Sequence, residues 1–142
     1  MKKLLMLLTA FIVTTTAMAQ KADDVMKVNT EKHDFGKIKQ GVPVTTFIEV
    51  KNTSDKPLVI ENAWGACGCT TPEVPKEPIM PNTVTKVKVQ YNAAALGQFT
   101  KDVFIKFAGV EEPKVIKITG EVMEPGAFEA AAKQKTAPVK KS

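Results

Sequence analysis

The residues of this chain best equipped for chemistry are two cysteines separated by one glycine. They lie in Trp64-Gly65-Ala66-Cys67-Gly68-Cys69-Thr70-Thr71-Pro72, beside the only tryptophan. In an extended backbone residues i and i+2 look to the same face, so the two sulfurs either bond to each other or meet something together. A bond across one residue asks the backbone to kink, because Cα atoms two apart in a flat strand stand near the upper limit for bridging; Gly68 can supply that kink. An exposed disulfide in so short a ring suits thiol exchange with Cys67 or Cys69 attacking. Reduced, the pair would offer two soft ligands to Cu(I) or Zn.

Each of those chemistries lacks company in the sequence. A closed zinc site wants four ligands, and His33, Met26, Met80 or a second chain would have to complete this one, so no metal is expected. A cysteine nucleophile needs a base, and His33 is the only histidine. No Ser, His and Asp set with supporting glycine motifs is present, and no Cys-x-x-Cys or βαβ pattern of the thioredoxin kind. The chain is therefore read as no enzyme and as needing no cofactor. Thiol-disulfide redox or soft-metal binding at Cys67 and Cys69 stands as the alternative to a module whose Trp64, Gly68 and Thr70 form an interaction surface.

The leader sets the compartment. Lys2 and Lys3, the apolar run Leu4 to Val13 and the small-x-small site Ala17-Met18-Ala19 read as a signal peptide over 1–19, cut before Gln20. It is too short for a membrane anchor, so no transmembrane segment is expected after its removal, and the chain is expected in the periplasm or secreted. An exported protein with an even number of cysteines favours a disulfide. The leader carries two lysines and no acid, so its loss lowers the formal net charge from +5 to +3. All the basic residues are lysines, without the arginine that reads phosphate and guanine bidentately. Nucleic acid is not expected as a partner.

The elements that must position the cysteines are strands. Val44 to Asn52 alternates, with Val44, Thr46, Ile48 and Val50 on one face. Asn52 to Pro57 reads as a turn, although Asn52-Thr53-Ser54 also fits a glycosylation acceptor. Leu58 to Trp64 leads into the cysteines with Leu58, Ile60 and Trp64 inward, unless Gly65 or Gly68 shifts the register by a bulge. Pro72, Pro75, Pro78 and Pro81 read as a stiff crossover between sheets. Thr85 to Tyr91, Phe99 to Phe107 and Lys114 to Val122 alternate again, with Gly120 where a neighbour comes close. Val28 to Phe35 reads as a first, edge-type strand.

About seven strands at roughly ten-residue intervals, with no long amphipathic helix between them, predict an all-β, antiparallel immunoglobulin-like sandwich over residues 28–122. A flexible segment over 20–27 precedes it, and a flexible alanine- and lysine-rich tail over 123–142 follows, with a possible short helix from Ala127 to Lys135.

His33-Asp34-Phe35-Gly36-Lys37-Ile38, Phe47 to Asn52, Pro57-Leu58-Val59-Ile60, Cys67-Gly68-Cys69-Thr70, Ile79-Met80-Pro81 and Ile118-Thr119-Gly120-Glu121-Val122 together resemble the bacterial domain-of-unknown-function 1573 (DUF1573) family over residues 30 to 122. Those sequences usually carry Pro-Gly where this one has Pro81-Asn82. The resemblance implies an immunoglobulin-like fold and export, and no activity. The function expected is an exported binding or structural module of the cell envelope, its partner an unknown protein or envelope component.

Overall fold

The computed structural model describes residues 21–135; the stretch 1–19 expected to be a leader, residue 20, and residues 136–142 of the expected tail lie outside the described residues. Alternation builds the first sheet as expected. In β3 (Val44–Asn52) Thr46, Ile48 and Val50 are buried, and in β6 (Val84–Tyr91) Val87, Val89 and Tyr91 are. The two strands pair antiparallel from Val44↔Tyr91 to Lys51↔Val84. β1 (Met26–Val28) and β5 (Thr70–Glu73) flank them, giving the order β1-β3-β6-β5. The second sheet runs β2-β8-β7-β4, from β2 (Lys32–Lys39), β8 (Lys114–Met123), β7 (Gly97–Phe107) and β4 (Ile60–Gly65). Tyr91, Phe107, Ile105, Ile116 and Val103 fill the space between the sheets.

The sandwich departs from the sequence reading in four places. The expected first strand is two strands in different sheets. Asn29 Oδ1 accepts the Glu49 N–H from the neighbouring β3, and Thr30 Oγ1 bonds the backbone of Lys32 at both N–H and C=O, so the local bonding of Thr30 ends β1 and turns the chain across. Secondly, β2 pairs with β8 in parallel, which makes the second sheet mixed. Thirdly, the segment expected to be flexible before residue 28 contains a short helix, α1 (Ala22–Val25), and Ala22, Val25 and Met26 belong to the core. Fourthly, the start of the expected tail is docked: the short helix named over Ala127 to Lys135 is part of α2 (Pro125–Lys135), tied to β2 by a Lys39–Glu129 ion pair of 2.8 Å. That lysine holds the Glu129 carboxyl below its ordinary range.

The turn reading of Asn52 holds against the glycosylation reading. Its side chain is fully buried, donates to the carbonyls of Lys56 and Ile79, and accepts from Ser54 N–H and Oγ. The proline-rich stretch is docked: Leu58 and Ile79 exchange backbone bonds, and Pro72 occupies the edge strand β5, where a missing donor costs least. Asn82, where the resembling sequences carry glycine, has φ +60°, a conformation asparagine tolerates.

Lys114, on β8, ties down the amino-terminal segment. Its Nζ bonds Asp23 of α1 at 2.6 Å and the Glu31 carboxylate of the β1–β2 crossover, while only 9% of the side chain is exposed. Burial works against its charge, but the bonds to Asp23 and Glu31 outweigh burial and raise its pKa above the ordinary lysine value. A raised folded pKa gives stability that is complete below the unfolded value and is lost as pH rises through the folded one. Lys114→Met is expected to cost about 1–2 kcal/mol at pH 8. Urea unfolding at stepped pH should show its deficit shrinking above pH ~10.5, the unfolded lysine value.

Candidate functional site

β4 is the edge strand that delivers the cysteines, and its face is set by a bulge. Ile60 pairs with Phe107 and Asn62 with Lys106, leaving Glu61 as the extra residue. Alternation therefore reverses after Ile60. Ala63 turns inward, and Trp64, expected inward, faces solvent at 39% exposure. Trp64 lies opposite Phe104 of β7, the rings stacked at 5.4 Å and 15°.

The chain then leaves the second sheet for the first. Thr70 N–H bonds the Cys67 carbonyl at 3.2 Å, closing a turn over Cys67, Gly68, Cys69 and Thr70. Both ends of this turn are clamped: Ala66 N–H donates to Asp102 on β7, and Asn92 N–H, just past β6, donates to the Cys69 carbonyl. Gly65 is the residue that this crossing requires. A Cβ there would stand 2.4 Å from the Thr70 carbonyl oxygen and 2.7 Å from Thr70 Cβ. Gly68 is exposed, and a Cβ there would meet nothing within 4 Å.

Cys67 and Cys69 are bonded to each other, their Cα atoms 5.2 Å apart, shorter than the roughly 6.5–7 Å of a flat strand. The turn, rather than a kinked strand, brings them together. Both are half-buried, and Thr70 Oγ1 lies 4.0 Å from Cys67 Sγ and 3.8 Å from Cys69 Sγ, with Thr70 itself buried. A bond closing so short a loop removes little entropy from the unfolded chain, and the backbone turn already holds the same residues. Cys67→Ser with Cys69→Ser is expected to cost only about 1–2 kcal/mol, read as a small shift in the urea midpoint.

The other sequence candidates do not gather here. His33 is on β2, at the opposite edge of the second sheet, packed edge-on to Phe35 at 4.7 Å, so it cannot serve the cysteines as a base. Met26 is buried in the core and Met80 is exposed beyond β5. Among the described residues no three His, Cys, Asp or Glu side chains cluster as metal ligands. Phe104 was the partner of Trp64 that reading single strands missed; its outward parity between Val103 and Ile105 was the available signal.

Residues 26–122 match the family described as protein of unknown function, DUF1573. The chain belongs to this family. No curated protein matches it. Among solved structures it is similar to a protein of unknown function from Porphyromonas gingivalis W83, with a TM-score of 0.60 and 19% identity over 69% of this chain and 46% of that one. It is also similar to the VesB protease of Vibrio cholerae, with 0.58 and 14% over 72% and 33%. The PapD-like domain 7 of human CEP192 matches at 0.53 and 9% over 70% and 86%. The DUF1573 chain thus spans about half of the first of these proteins and a third of the second. At such identities the likeness is one of fold. No helix among the described residues is long and apolar enough to cross a membrane.

Proposed function

We propose that this DUF1573 chain is an exported binding or structural module of the cell envelope, without catalytic activity, that presents the Trp64 to Thr70 corner to a protein or other envelope component. The observation that carries the reading is the clamped turn: backbone bonds from Ala66 and Cys69 fix it between two edge strands while Trp64, Ala66 and Gly68 stay exposed. A rigid, accessible corner loses little entropy on binding. The leader supports export, and fractionation of cells making the full chain should place the processed protein outside the cytosol. A photoreactive residue at Gly68 should cross-link one envelope component in cells, whereas one at Asp55, at the far end of the sandwich, should not. Equal labelling from both positions defeats the reading.

The half-buried, exposed-turn disulfide favours thiol exchange as a second reading. A thiolate of a client protein would attack one sulfur, release the other as a thiolate and form a mixed disulfide; a second client thiol would then complete the exchange, leaving Cys67 and Cys69 reduced and the client oxidised. Thiol alkylation across a redox titration decides it, because a pair that stays oxidised below about −300 mV is structural. Soft-metal binding by the reduced pair would need ligands other than His33, Met26 and Met80, which lie elsewhere in the fold.

A further inference from the structure

The sequence groups Thr70 with Trp64 and Gly68 as an interaction surface, yet the structure buries it, leaving 4% exposed against 39% for Trp64. A partner seated on the corner meets Trp64 and Gly68 and not Thr70. What Thr70 does meet is the disulfide. Its Oγ1 lies 3.8 Å from Cys69 Sγ and 4.0 Å from Cys67 Sγ, and the two sulfurs are the only hydrogen-bond partners of this hydroxyl among the described residues. Bonded sulfurs carry no proton, so the hydroxyl is the donor. Its side chain is held in place from several directions. Thr70 pairs with Tyr91 across β5 and β6, its N–H bonds the Cys67 carbonyl, and its Cβ stands 2.7 Å from where a Cβ at Gly65 would be.

A neutral sulfur is a weak acceptor, so a buried hydroxyl gains little from a closed disulfide. A thiolate is a strong acceptor, and a hydrogen bond to an ionised partner is roughly twice as strong as one between neutral groups. The Thr70 hydroxyl therefore suits the opened pair better than the closed one. The two sulfurs also differ in their surroundings. Both cysteines are half-buried, but only Cys69 packs against the hydrophobic core. An incoming group reaches Cys67 more freely, and a thiolate left on Cys69 loses part of its hydration. That loss opposes the charge, and a donor already in position offsets it.

We infer that a client thiolate attacks Cys67 Sγ and that the Thr70 hydroxyl stabilises Cys69 Sγ as the leaving thiolate. The bond from the client sulfur to Cys67 Sγ forms as the bond between Cys67 and Cys69 breaks, and the electron pair of the broken bond passes to Cys69 Sγ. Thr70 keeps its proton and donates it as a hydrogen bond; the freed sulfur turns about its Cα–Cβ bond to close the distance. A second client thiolate then attacks the client sulfur of the mixed disulfide and releases Cys67 as a thiolate. Two client thiols are oxidised to one disulfide, and the Cys67 and Cys69 pair is reduced. The inference rests on the thiol-exchange reading and adds to it a direction of attack and a residue that favours opening.

Equilibration of the purified chain with reduced and oxidised glutathione at stepped pH tests the role of Thr70. Thr70→Val keeps the shape and removes the donor, and it should shift the equilibrium toward the oxidised pair. The shift should be small in acid, grow as pH rises past the ordinary thiol value of about 8.5, and level off at about tenfold or more, as for a lost bond to an ionised group. Thr70→Ser, which restores the hydroxyl, should follow the parent. A merely structural role would give a gap that does not change with pH. The direction of attack needs no variant: limiting glutathione, an acid quench and peptide mass spectrometry should find the mixed disulfide on Cys67. A pH-independent gap, a Thr70→Val variant that tracks the parent at every pH, or an adduct mainly on Cys69 overturns the inference while exchange itself stands. A parent pair that stays oxidised throughout the glutathione titration ends the exchange reading, and this role with it.

Discussion

Gly65→Ala is expected to cost about 3 kcal/mol or more, the upper range for forcing an atom into packed structure. The added Cβ would lie 2.4 Å from a backbone oxygen and 2.7 Å from Thr70 Cβ, with the Cys67 carbonyl at 3.2 Å as well. None of these is the free end of a flexible side chain, so relief requires the turn to shift as a body. That turn is held from both sheets by Ala66 and Cys69. The strain should therefore spread along β4 and β5. Chemical denaturation should show the loss, and a melt should fall by roughly 10 °C or more. The neighbouring Gly68→Ala, whose Cβ meets open space, should stay within about 0.5 kcal/mol of the parent. Equal stability of the two variants would mean that Gly65 is not the residue that lets the chain cross.

Asn52→Ala is expected to be nearly as damaging, at about 3–4 kcal/mol. The Asn52 amide satisfies two carbonyls, of Lys56 and Ile79, and its oxygen satisfies Ser54. Through Ile79 it joins the turn after β3 to the docked proline-rich crossover, which itself exchanges bonds with Leu58. Truncation leaves buried polar groups without partners, and the penalty exceeds the worth of the bonds made. Asn52→Asp separates the parts, since it keeps the acceptor and loses both donors. Its cost should equal or exceed that of alanine, because it adds a charge in a buried place. Ser54→Ala, which removes only a hydroxyl, should lie near 1 kcal/mol. Urea midpoints across the three variants measure the order.

Parity along single strands was legible in the sequence because side chains alternate with a period of two. Val44 to Val50 and Val87 to Tyr91 bury the faces that alternation names, and Gly120 proves to be the close approach it suggests, against Phe99. What alternation cannot carry is anything that interrupts it or joins separate strands. The bulge at Glu61 involves no glycine or proline, so the reversal that turns Trp64 outward left no mark. The direction of β2 against β8 is equally silent, since parallel and antiparallel strands can bury the same alternate residues. Thr30 did carry a signal for the break between β1 and β2: its hydroxyl bonds the backbone two residues on, as threonine does where strands end. The cysteine pair was legible as a same-face pair but not as a turn, because the closing bond runs from the Thr70 backbone, whose donor every residue but proline shares.

The parallel pairing of β2 with β8 also bears on the order in which a chain becomes a protein. The second strand to be made finds its neighbour only in the last, about eighty residues later. An amino-terminal fragment, however long, lacks the piece that would lock it shut. Until that final strand arrives, β2 has no neighbour in its sheet and the second sheet stays open on that side.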